Sequence, residues 1–99
     1  MTNVTLSTQW SKMLFNNAHM LRVAAEIHAG GEQIDARTLQ RRIPLGQSAV
    51  HRVLRTLEGV ELLTRQERTS RTDVLQYTRA DHPFWASAAT LFFAAERTG

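Results

Sequence analysis

Apolar residues recur at helical spacing over most of the chain, and this pattern predicts five helices. Residues 8–29 contain neither Gly nor Pro, and Asn16–Asn17 interrupts them, which favours two successive helices. Ser7 or Thr8 is the expected N-cap of the first, since hydroxyl side chains accept hydrogen bonds from first-turn N–H groups. Gly30–Gly31 is expected to end the second, because glycine accepts the left-handed backbone of a helix C-terminus.

The next part of the chain has the pattern of a helix-turn-helix. Gln33–Ile34 predicts a very short strand, and Asp35 is the expected N-cap of a helix covering about residues 36–42. Pro44 disfavours helical backbone at the residue before it, so that helix ends there. The turn that follows is short enough to hold two helices at a steep angle, and the second begins at Gln47 after Gly46.

The second helix of this unit has two faces of different chemistry. One stripe at i, i+3, i+4, i+7 spacing is apolar and is expected to be buried: Val50, Val53, Leu54 and Leu57. Another stripe repeats that spacing with polar or basic residues: Ser48, His51, Arg52 and Arg55. Because the apolar stripe docks the helix, the polar stripe is available to a partner. Hydrogen-bonding groups beside permanent cations suit base edges in a DNA major groove.

A hairpin and a final helix complete the predicted order. Residues 62–67 and 73–78 have strand character, and their expected inward residues are Leu63, Leu75 and Tyr77. The tip between them, residues 68–72, is polar and basic, as in a DNA-binding wing. Pro83 favours a helix start, with Asp81 or His82 as cap, and the final helix is expected over about residues 83–96.

The terminal helices, about residues 7–29 and 83–96, carry a surplus of aromatic residues for a domain of 99 residues. Such a surplus predicts a symmetric dimer interface. Its candidate residues are Trp10, Leu14, Phe84, Trp85, Leu91 and Phe92.

Composition limits the class of protein. Ninety-nine residues with 42% hydrophobic and 21% charged residues are expected to form one globular domain, residues 1–99. The chain has no cysteine, so disulfides and thiolate metal sites are excluded. It has no apolar run of 18 residues, and its N-terminus lacks the pattern of a secretory signal. We therefore expect no membrane partner and a cytoplasmic protein.

The positive charge is concentrated in the middle of the chain. Formal net charge is only +3, yet nine arginines lie between Arg37 and Arg79. Arginine suits forked contacts to phosphate and guanine, although a G- and C-rich genome also favours arginine codons. The clustering, more than the choice of arginine over lysine, indicates nucleic acid.

The segment from about His19 to Phe92 resembles the winged helix-turn-helix domain of ArsR-like and MarR-like bacterial transcriptional regulators. The residues that carry the resemblance are Leu39–Glu58, Leu62–Arg65 and Tyr77–Pro83. It implies a mainly α fold with a small β-hairpin, in the order α1-α2-(β1)-α3-α4-β2-β3-α5, and a dimer formed by terminal helices. Two positions depart from the family: it often has Gly where this chain has Glu61, and Ser or Thr where this chain has Gly46.

The resemblance implies a DNA-binding role for two elements. The recognition helix, residues 47–58, would enter the major groove through Gln47, Ser48, His51, Arg52 and Arg55. The wing would contact flanking backbone or minor groove through Arg68, Ser70 and Arg71. Arg37 and Arg41 are additional candidates for the DNA backbone.

The function expected from these features is that of a sequence-specific double-stranded DNA-binding regulator, most simply a dimeric repressor. No catalytic motif supports an enzyme. The four histidines, His19, His28, His51 and His82, show no metal-ligand spacing, so neither metal nor cofactor is expected, and no effector ligand is identified. Two alternatives remain open: a winged-helix module that binds an acidic protein, and a phage- or plasmid-encoded accessory DNA-binding factor.

Overall fold

The computed structural model describes residues 5–67 and 75–98. In this part of the chain five helices accompany a three-stranded antiparallel sheet, which confirms the expected fold class and element order. The elements are α1 (Leu6–Phe15), α2 (Met20–Gly30), β1 (Gln33–Asp35), α3 (Ala36–Arg42), α4 (Gln47–Gly59), β2 (Leu63–Arg65), β3 (Gln76–Arg79) and α5 (Phe84–Thr98).

The core forms around α2, which packs against α1, α3, α4 and α5. Its buried residues are Met20, Leu21, Val23, Ala24, Ala25 and Ile27. Leu39 of α3 and Ile43 of the following turn are also buried. The apolar face of α2 turns toward the neighbouring helices, because burial there removes these side chains from water.

The sheet has the strand order β1-β3-β2, so β3 lies in the middle and pairs with both neighbours. Ile34 lies opposite Tyr77 in one ladder, and Leu63 lies opposite Arg79 in the other. Leu63 and Tyr77 are buried as expected, and Leu75 is half-buried against the core. β2 is shorter than the predicted strand 62–67, whereas β3 extends to Arg79, one residue past the predicted end at residue 78.

The start of α1 differs from the expectation. Thr5, not Ser7 or Thr8, is its N-cap, and the Thr5 hydroxyl accepts a hydrogen bond from the Thr8 N–H at 3.3 Å. Ser7 is buried and donates to Glu96 of α5 at 2.8 Å. The expected interruption is confirmed, since Asn16 has a left-handed φ of 54° and ends α1.

The start of α5 is fixed by side chains on both sides of Pro83. The N–H of Phe84 donates to Nδ1 of His82 at 3.0 Å, in agreement with a predicted cap at this position. Trp85 points inward, and its indole N–H donates to the carbonyl of Ala80 at 2.9 Å. The ring of Phe84 packs edge-on against Phe15, which joins α5 to α1.

Two of the six candidate residues for the dimer interface are buried within this chain. Trp85 is only 2% exposed and Phe92 only 9%, so the chain's own core covers them and they have little surface for a partner. Trp10 and Phe84 are half-buried, whereas Leu14 is 60% exposed and Leu91 36%. On α5 the spacing of apolar residues could not distinguish buried from exposed side chains, because this helix is apolar around most of its circumference.

None of the helices in residues 5–67 and 75–98 combines the length and the apolar character that crossing a membrane requires.

Candidate nucleic-acid interface

The helix-turn-helix is held in place by two side chains of its first half. Asp35 caps α3, because its carboxylate accepts hydrogen bonds from the N–H groups of Arg37 and Thr38 at 2.8 and 3.1 Å. The amide of Gln40 donates to the carbonyl of Leu45 at 2.7 Å, across the turn between α3 and α4. The second bond fixes the turn, and so the angle at which α4 leaves it.

The inner face of α4 anchors this helix to the core. The four residues of its predicted apolar stripe, Val50, Val53, Leu54 and Leu57, are all buried. At its N-terminus Gly46 provides no side-chain cap and the first turn has no acidic residue, so the partial positive charge of the helix start is not offset by a local carboxylate. This end of the helix favours an anion.

The outer face of α4 presents the predicted DNA-binding residues to solvent. Gln47, Ser48, Arg52 and Arg55 are exposed. His51 is half-buried and lies with Arg37 and Gln47 along a groove of about 330 Å³ between α3, α4 and the start of β3. The structure therefore brings five predicted residues of the recognition helix and Arg37 onto one side of the molecule.

Two further cations of α3, Arg41 and Arg42, are exposed. Arg42 lines a separate groove with Glu26 and Asp35, so acidic groups share its surroundings. Arg37 lies closer to the outer face of α4, since its groove also contains Gln47.

An ion pair at the far end of α4 was missed by the sequence reasoning. The guanidinium Nη2 of Arg65, in β2, lies 3.0 Å from the carboxylate Oε1 of Glu58. The Arg65 guanidinium is also 6.0 Å from the centre of the Tyr77 ring. The hydrogen bond to Glu58, more than the neighbouring Tyr77, raises the pKa of Arg65 above its ordinary value. The sequence contained one indication that Glu58 belongs to this site. Glu58 follows Arg55 by three residues, so its carboxylate lies on the polar stripe of α4.

The predicted wing residues Arg68, Ser70 and Arg71 lie outside the described residues. The hairpin leading to them continues past β2, because the N–H of Gln66 donates to the carbonyl of Gln76 at 2.9 Å. Among the residues that the structure does describe, no three His, Asp or Glu side chains are grouped as a metal site would require.

No protein-family model and no curated protein sequence matches the chain. Two solved structures share its fold. One is the organohalide-sensing transcriptional regulator RdhR bound to 2,4-dichlorophenol, with a TM-score of 0.61 and 16% identity, covering 93% of this chain and 53% of that one. The other is a MepR-like protein complexed with pseudoligands, with a TM-score of 0.55 and 15% identity, covering 93% and 61%. The chain thus spans little more than half the length of these structures, and the likeness establishes a winged-helix fold.

Proposed function

We propose that this chain is a sequence-specific double-stranded DNA-binding transcriptional regulator. The observation that carries the proposal is the division of α4, whose apolar stripe is buried while its polar residues Gln47, Ser48, Arg52 and Arg55 face solvent. Exposed arginines on a helix that projects from a helix-turn-helix fit base edges and phosphates. The shared fold with a transcriptional regulator adds support.

In this proposal helix 47–58 lies in the major groove, with Arg52 making the forked contact to guanine and Arg55 contacting the backbone. The wing tip, residues 68–72, lies against flanking backbone or minor groove through Arg68, Ser70 and Arg71. Arg37 and Arg41 contact phosphates from α3. Binding needs neither metal nor cofactor.

The regulator would act as a homodimer in a bacterial cytoplasm, and most simply as a repressor. Two copies would place their recognition helices in successive major grooves about 34–36 Å apart on a near-palindromic site. Support comes from exposed apolar residues on the terminal helices, which are Met13, Leu14, Leu91 and Phe93. These residues belong to two helices that pack against each other, and a partner that covers them would remove their side chains from water.

The direct test is to select fragments from a random duplex pool and to measure affinity for the selected and scrambled duplexes over a range of salt concentrations. A DNA-binding regulator enriches one motif, and its affinity falls steeply with salt because each neutralised phosphate releases counterions. A protein-interaction module would enrich no motif and would bind no duplex preferentially. An accessory DNA-binding factor would bind duplex DNA but leave transcription from a promoter carrying the motif unchanged.

A further inference from the structure

The ion pair between Glu58 and Arg65 lies at the edge of the proposed DNA-binding face. Glu58 is the one acidic residue of α4, and it follows His51 by seven residues and Arg55 by three. It therefore lies on the same side of the helix as the residues proposed to approach DNA. An unpaired carboxylate there would repel phosphate, and the Arg65 guanidinium at 3.0 Å offsets its charge.

The pair is open to exchange of partners. The side chain of Arg65 keeps 46% of its surface exposed and that of Glu58 keeps 33%. Ion pairs at such positions contribute little to stability, because water hydrates both groups and the dissolved salt screens them. A phosphate oxygen offers the guanidinium an equally suitable charged acceptor. Moving Arg65 from Glu58 to a phosphate is therefore a small energetic step.

We infer that Arg65 is a phosphate-binding residue whose availability is set by Glu58. Without DNA, Arg65 binds Glu58; with DNA, a backbone phosphate replaces Glu58 as its partner. Glu58 then lowers affinity for every duplex alike, since the contested group is a phosphate and not a base. This inference rests on the proposed DNA-binding function, and it adds a residue of β2 that lies outside both the recognition helix and the wing tip.

The test compares Glu58→Gln with Glu61→Gln, each with Arg65 retained and with Arg65→Ala. Glu61 is a matched control because it is an exposed carboxylate at the same end of α4 and forms no ion pair with another described residue. Removing either glutamate relieves general repulsion, but only Glu58→Gln also releases Arg65. We expect Glu58→Gln to strengthen binding about two- to fivefold more than Glu61→Gln, a range typical of a surface pair.

This excess gain should be the same on the selected and scrambled duplexes and should disappear in the Arg65→Ala background. Equal gains from the two glutamine variants, or an excess that persists without Arg65, would overturn the inference while leaving DNA binding intact. Equal denaturation midpoints for the four variants would exclude unfolding as the cause. If the parent protein binds no duplex, the proposed function fails and the inference fails with it.

Discussion

The hydroxyl of Ser11 in α1 accepts a hydrogen bond from the backbone N–H of Leu21 in α2 at 3.0 Å. Ser11 is fully buried, and its hydroxyl also donates to the carbonyl of Asn17 at 2.7 Å. The local N-cap residue of α2, His19, makes no side-chain capping bond. A side chain from the preceding helix therefore satisfies a first-turn N–H of α2, and it ties α1 to the start of the central helix.

Ser11→Ala should lower the free energy of unfolding by about 1–3 kcal/mol, because it leaves the buried Leu21 N–H and Asn17 carbonyl without their shared partner. Urea denaturation followed by circular dichroism measures the change. Ser87→Ala is the matched control, since Ser87 is an exposed serine of α5. Similar midpoints for the two variants would show that the buried bonds contribute nothing.

The fold should become more stable if the glycine at the end of α4 stands at position 61 and not at position 59. Glu61 has a left-handed φ of 64°, whereas Gly59 is helical and has open space where a Cβ would lie. We expect Glu61→Gly to stabilise the fold by about 0.5–1 kcal/mol, since glycine adopts that backbone without strain. Gly59→Ala should add about 0.4–1 kcal/mol by restricting the unfolded chain. Thermal unfolding measures both, and Glu61→Ala, which keeps a Cβ, should produce no gain.

Arg52→Ala should cost about 1–3 kcal/mol of binding at one base position of the selected site, because a forked contact to guanine is lost there. Affinities for duplexes that vary that position should become nearly equal. Arg97→Ala removes the same charge from the last turn of α5 and should change neither affinity nor preference. A variant with the parent's preference at every position would exclude Arg52 from base recognition.

Arg71→Ala should weaken binding to all duplexes by a similar factor, because the wing is proposed to hold phosphate and not bases. The slope of log affinity against log salt should become shallower by about 0.9, the value expected for one phosphate contact. Titrations of the selected and scrambled duplexes at several salt concentrations give both quantities. A loss confined to the selected duplex would instead assign Arg71 to base recognition.

Leu14→Asp should separate the proposed dimer into monomers, because it places a charge on an apolar side chain that is 60% exposed. Sedimentation equilibrium of the parent and the variant measures the mass. Trp85→Phe is the control: it removes the hydrogen bond to Ala80 and should lower stability while leaving the mass unchanged. A monomeric parent, or an unchanged mass for Leu14→Asp, would contradict the assignment of α1 to the interface.

Local sequence patterns determined most of this architecture. Asp35 and Pro44 set the bounds of α3, because a carboxylate cap and a proline act on neighbouring backbone groups only. The stripe from Val50 to Leu57 identified the buried side of α4, since helical geometry alone brings i, i+3, i+4 and i+7 together. These are the features that define the fold and the proposed recognition helix.

Tertiary structure decided which other element each of several side chains contacts. Ser7 and Ser11 have the residue type of helix caps, yet both are buried and bond to partners in α5 and α2. Trp85 and Phe92 are buried in their own core, and Glu58 meets Arg65 only because β2 packs beside α4. The periodicity of apolar residues specifies which face of an element is buried. It does not specify which other element that face contacts, because this depends on how separate elements pack against one another.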